Sequence, residues 1–134
     1  MKIWLPIYEN GNHLLKLYLP KIKIVMQKQF VAVNYITCTP EYRERFEELF
    51  GSRAKAIDLM PGFIDMHVLK PSKEDQDYLI VSYWESEEAF KGWTKSEAFI
   101  EGHKRGFADL AKAKAEGKEA PMSSNFQTYK IIAN

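Results

Sequence analysis

Two helical stretches set among four β-prone runs, in the order β-α-β-β-α-β, make this chain an α+β protein built on an antiparallel sheet. Three observations carry that expectation. The segment FVAVNYITC alternates with period two. YLIVSYW is dense in β-branched and aromatic residues. Phe99, His103, Phe107 and Leu110 recur at spacings of four, four and three, which is one stripe of a helix.

A chain of 134 residues has room for one core and hardly for two. With 46% of its residues hydrophobic, it can bury enough apolar surface to fold. A formal net charge of +1 argues against nucleic acid as the main partner, because phosphate binding leaves a basic excess. Cys38 is the single cysteine, so an internal disulfide and a Cys-x-x-Cys metal pattern are both excluded. It sits near the end of an apolar strand, where a structural thiol is expected, and it fits a reducing cytoplasm. No apolar run approaches the ~20 residues of a membrane helix, and Pro6, Glu9, Asn10 and Lys16 interrupt any signal-peptide core. No membrane partner is expected.

Residues 1–29 read as an extension. Leu15, Leu17 and Leu19, then Ile22 and Ile24, suggest short strands, and Glu9-Asn10-Gly11-Asn12 is a turn signal, so a hairpin or a partly disordered arm is expected. Met26 offers an alternative start just before the regular pattern begins. The domain proper is residues 30–134. In its first strand Val31, Val33, Tyr35 and Thr37 face one way, and Ala32, Asn34, Ile36 and Cys38 the other. Thr39-Pro40 opens a helix with threonine as N-cap, and Phe46, Leu49, Phe50, Arg53 and Ala54 form its stripe. Pro61-Gly62 ends that stretch and leads into the strand GFIDMHVLK; the polar loop PSKEDQD precedes YLIVSYW. Ser86 caps a short helix bearing Phe90 and Trp93, and Ser96 caps a longer one to about Lys114. A polar stretch, EGKEAPMSSN, leads to the last strand, FQTYKIIA.

This is the split arrangement of a ferredoxin-like fold, with the helices on one face of the sheet. The other face needs cover, and in so small a domain a second copy is the simplest cover. A homodimer with its sheets packed face to face, a dimeric α+β barrel, is expected.

Three residues stand out against their segments. Asparagine is disfavoured in strands, so Asn34 between Ala32 and Ile36 must be hydrogen-bonded or pay for its burial, unless the strand is an edge in water. Trp93 is ordinarily packing, but it lies beside a helix break that suits a pocket rim. His103 on an apolar stripe is ordinarily a core residue with one satisfied bond; the functional alternative is an axial ligand to heme iron. Gly102 and Gly106 beside it allow a flat molecule close to the backbone. His13 and His67 have no metal-ligand spacing with His103, so a three-histidine zinc site gains little support.

VAVNYI, then YLIVSYWES followed by AFKGWTKSEAF, then EGHKRG, together with the PGF turn, resemble the IsdG-type heme-degrading monooxygenases of the antibiotic biosynthesis monooxygenase (ABM) superfamily. The resemblance covers about residues 30–133. It implies catalytic roles for Asn34, Trp93 and His103: His103 as proximal ligand of heme iron, Trp93 pressing the porphyrin out of plane, and Asn34 hydrogen-bonding on the oxygen side. Phe50, Phe99 and Phe107 become pocket walls and Arg53 a partner for the propionates, while Lys104 and Arg105 point off the stripe into solvent. Heme is then both substrate and cofactor, with O2 as oxidant. No Gly-x-Gly-x-x-Gly follows a strand, so the electrons would come from an external donor. Two other readings stay open: a cofactor-independent ABM monooxygenase of a quinol or polyketide-like aromatic, and a non-enzymatic heme-binding protein.

Overall fold

The computed structural model describes residues 27–52 and 56–134 in full, and the backbone of residues 3–9 and 12–18. Strands β1 (Ile3–Glu9) and β2 (Asn12–Tyr18) pair antiparallel as a hairpin closed at Glu9 opposite Asn12. The expected strand residues Leu19, Ile22 and Ile24 lie outside the described residues.

The remaining strands are β3 (Phe30–Cys38), β4 (Phe63–Leu69), β5 (Tyr78–Trp84) and β6 (Met122–Lys130). They form one antiparallel sheet in the order β4-β5-β3-β6. Helix α1 (Arg43–Gly51) follows β3, and α2 (Glu87–Thr94) and α3 (Glu97–Ala115) follow β5. The fold is α+β and ferredoxin-like, as the pattern predicts. Ser86 and Ser96 act as the sequence proposes: each hydroxyl accepts from the backbone N–H three residues on, at 3.1 Å in both cases.

Two elements depart from expectation. Thr39 does not cap through its side chain, because the first turn, Pro40–Tyr42, winds as a 3-10 helix. There the Tyr42 N–H donates to the Thr39 carbonyl at 3.0 Å, and the Thr39 N–H donates to the Pro121 carbonyl at 2.9 Å. Strand β6 also begins at Met122, four residues before the expected start, and ends at Lys130. Met122–Asn125 look like loop by composition, yet pairing with Tyr35–Cys38 of the central strand overrides that preference.

The helix-facing side of the sheet carries two separate apolar clusters. Phe30, Ala32, Ile57, Trp84 and Trp93 form one; Ile36, Tyr42, Phe46 and Tyr78 form the other. Trp84 is fully buried, and its indole N–H donates to Ser82 Oγ at 2.8 Å. Between the clusters the sheet presents Asn34, Ile80 and Ser82. Helix α3 buries none of its residues. It stands away from the sheet here, so the middle of the domain is a cavity rather than core.

Candidate active site

The cavity has a volume of about 230 Å³. Its floor is the sheet and its roof is α3, with Phe46, Leu49 and Phe50 of α1 on one side and Phe90 and Trp93 of α2 on the other. Asn34, Trp93 and His103 all line it, as do Phe50, Phe99 and Phe107. Arg53 lies outside the described residues.

Asn34 is only 8% exposed, and its carboxamide Oδ1 is buried without a hydrogen-bond partner. Leaving an amide oxygen so costs roughly 1–3 kcal/mol. Its cross-strand neighbours, Ile80 on β5 and Phe126 on β6, offer no side-chain donor. Turning the carboxamide over replaces an unpartnered acceptor with an unpartnered donor. Either way, a polar group is held ready at the centre of an apolar floor.

His103 Nδ1 lies 2.6 Å from the Phe99 carbonyl oxygen one turn earlier in α3. A carbonyl only accepts, so Nδ1 carries the proton and the lone pair of the neutral ring is on Nε2. The imidazole sits between Phe99, with centroids 4.1 Å apart, and Phe107, at 5.6 Å and nearly parallel. Trp93 meets Phe99 edge-on at 5.4 Å and lies 6.4 Å from the imidazole. A Cβ added at Gly102 would meet the Trp93 ring at 4.0 Å, and one at Gly106 would meet the end of Met122 at 3.7 Å. The two glycines therefore keep the roof thin where it faces the cavity.

Arg105 departs from its sequence reading. Its side chain is not simply solvated; it lines the cavity and crosses to the C-terminal end of α1. Nη1 donates to Ser52 Oγ at 3.0 Å, and Nη2 to the Leu49 and Ser52 carbonyls at 3.1 and 3.2 Å. A helical wheel follows Cβ directions and misses how far an arginine reaches. One turn on, Asp109 accepts from Tyr42 OH at 2.6 Å and from Arg45 Nε at 3.0 Å. Burial works against the Asp109 carboxylate, but these two bonds outweigh it and hold its pKa below the ordinary value. Met122, Ser124 and Phe126 of β6 also line the cavity; Met122 and Ser124 lie in the stretch whose composition gives no strand signal, and Phe126 opens the expected strand. His67 lies on the opposite face of the sheet, beside Asp65 at 3.3 Å. Among the described residues no cluster of three His, Cys, Asp or Glu side chains is placed to hold a metal.

The site is an apolar cavity between sheet and helix in a ferredoxin-like domain, with one histidine and one unpartnered amide on its lining. The sequence profile of the antibiotic biosynthesis monooxygenase family matches residues 29–105, and the chain belongs to that family. It is 35% identical over 68 residues to a mycobilin-producing heme oxygenase of Mycobacterium tuberculosis, a match spanning 51% of this chain and 65%, just under two thirds, of the relative. It is 31% identical over 98 residues to a staphylobilin-producing heme oxygenase of Staphylococcus haemolyticus, spanning 72% of this chain and 88% of the relative. Among solved structures it resembles the heme-degrader MhuD of M. tuberculosis with two hemes bound in its active site, at a TM-score of 0.58 and 25% identity, covering 78% of this chain and 97% of that one. It shares its fold with SnoaB, a cofactor-independent oxygenase from Streptomyces nogalater, at a TM-score of 0.57 and 20% identity, covering 81% and 97% of the two chains.

Proposed function

We propose that this protein is a heme-degrading monooxygenase that binds heme as its substrate through His103 and opens the porphyrin with O2 and electrons from an external donor, releasing iron. The observation that carries the reading is the His103 tautomer. A proton fixed on Nδ1 by the Phe99 carbonyl leaves Nε2 as a ready ligand atom in a cavity walled by rings. The names of the relatives point the same way.

The residues fit the substrate. Nε2 suits the metal, Trp93 and the phenylalanines suit the faces of a macrocycle, and Asn34 brings a carboxamide whose Oδ1 has no partner in the ligand-free chain. Bound heme supplies both the iron at which O2 is activated and the ring carbon that is oxidised. The protein's own contribution is position. Asn34 orients oxygen on the side facing the sheet, Trp93 crowds the ring, and the apolar walls exclude water. Each oxygen atom inserted consumes two electrons and two protons from outside, the second oxygen leaving as water.

The assembly we propose is a homodimer, an α+β barrel with the helix-free faces of two sheets together. Val31, Val33, Leu79, Val81 and Tyr83 alternate onto that face, which no described helix covers. We place the protein in the cytoplasm, where the lone, partly buried Cys38 fits a reducing environment; no described helix is long and apolar enough to cross a membrane. Residues 1–29 are read as an appendage to the catalytic domain at 30–134.

The test is an absorbance titration with hemin, followed by ascorbate in air with catalase present. Saturable binding with a shifted Soret band, then Soret decay with iron release, is the expected result. Binding without decay makes the protein a heme carrier. No saturable binding leaves the cofactor-independent oxygenase, whose fold SnoaB shares.

A further inference from the structure

Resting on the heme reading of this cavity, we infer that Arg105 is the residue that recognises a carboxylate of the bound ligand, so that the site selects an anionic porphyrin over a neutral planar molecule. Among the described residues that line the cavity, Arg105 alone carries a permanent charge; the rest are apolar, neutral polar, or the histidine.

What surrounds the guanidinium matters more than its presence. The bonds to Ser52 Oγ and to the Leu49 and Ser52 carbonyls all end on neutral oxygens, so they orient the group without cancelling its charge. Arg45 is the contrast on the same pair of helices: it is spent on the carboxylates of Asp109 at 3.0 Å and Glu48 at 3.1 Å. Arg105 has five N–H groups, and three are used. Nε–H and one Nη1–H remain for a ligand. A cation already pinned loses little freedom when a carboxylate arrives, and charge-assisted bonds of this kind are the stronger ones. Lys104, the neighbouring cation, is not part of the cavity lining.

A helix end capped by arginine is also an ordinary structural device, so the test must separate capping from recognition. Hemin and hemin dimethyl ester share ring and iron and differ in their carboxylates. Each is titrated into the full chain, wild type and as Arg105→Gln and Arg105→Lys, with circular dichroism verifying the fold. The wild type is expected to prefer hemin by about tenfold or more, the range of a charge-assisted pair. Arg105→Gln is expected to lose that preference by weakening hemin while leaving the diester almost unchanged, and Arg105→Lys to keep part of it. Equal weakening of both ligands in Arg105→Gln, or equal affinity for both in the wild type, overturns the inference and leaves the heme reading standing. Failure of the wild type to bind either porphyrin overturns the heme reading and the inference together.

Discussion

The His103 Nδ1 atom stands 2.6 Å from the carbonyl oxygen of Phe99, one helical turn before it. The bond does two things at once. It holds the proton on the side of the ring nearest the helix, and it fixes the ring between Phe99 and Phe107, so Nε2 is oriented before a ligand arrives. His103→Ala is therefore expected to keep the fold and lose the His-ligated heme spectrum, with exogenous imidazole restoring a Soret shift. A spectrum unchanged in His103→Ala would assign the iron to another ligand.

Asn34 gives a prediction in which stability and activity part ways. Its buried Oδ1 has no partner, which costs the ligand-free fold roughly 1–3 kcal/mol. Asn34→Ala should leave the melting temperature of the ligand-free protein level or raised, while heme turnover falls by roughly tenfold or more. A large loss of stability with turnover intact would make the amide a structural residue with an unseen partner.

Gly62 holds a turn that no other residue suits. Its φ is +79°, and a Cβ there would overlap the Cβ of Ala89 at the start of α2. Its carbonyl also accepts from the Glu85 N–H at 2.8 Å, tying the entry of β4 to the exit of β5. Gly62→Ala should cost about 3 kcal/mol, from the left-handed backbone and the clash together. Chemical denaturation reads this directly; a loss below about 0.5 kcal/mol would mean the turn simply repacks.

Alkaline pH should weaken the fold through Cys38. Burial pushes its thiol up from 9.0 to about 11 in the folded chain. Above pH 9 the unfolded chain releases this proton while the folded chain still holds it, so the unfolded state binds fewer protons and stability falls as pH rises. Tyr42 acts with the same sign, its phenol raised by burial and then by the bond to Asp109. The stability difference between wild type and Cys38→Ala should shift against the wild type between pH 9 and 11. A difference that stays flat across that window would show the thiol to be solvated.

Much of this molecule was legible in its pattern, and the exceptions have physical causes. Asn34 was conspicuous because an amide breaks an apolar alternation, and His103 because it falls on a stripe of rings. Both line one cavity. Met122–Asn125 gave no strand signal, since serine and asparagine join a sheet only when a central strand such as β3 supplies the pairing. The helical angle of Arg105 points to solvent, whereas the reach of its side chain carries it to α1. The split of the core into two clusters is a tertiary fact that no single-strand pattern contains.

Helix α3 is nineteen residues long and buries none of them. Polar bonds from Arg105 and Asp109 tie it to its neighbours along one flank, with the Trp93–Phe99 contact near its start. A segment moored this way has a local opening free energy well below that of the sheet beneath it, and its amides should exchange with solvent water sooner than those of β3. On the heme reading proposed above, the roof of the cavity would then act as a hinged shutter. If heme is the substrate, a stiff disc would be admitted and a longer, floppier product let go by that movement, with the four strands below left paired.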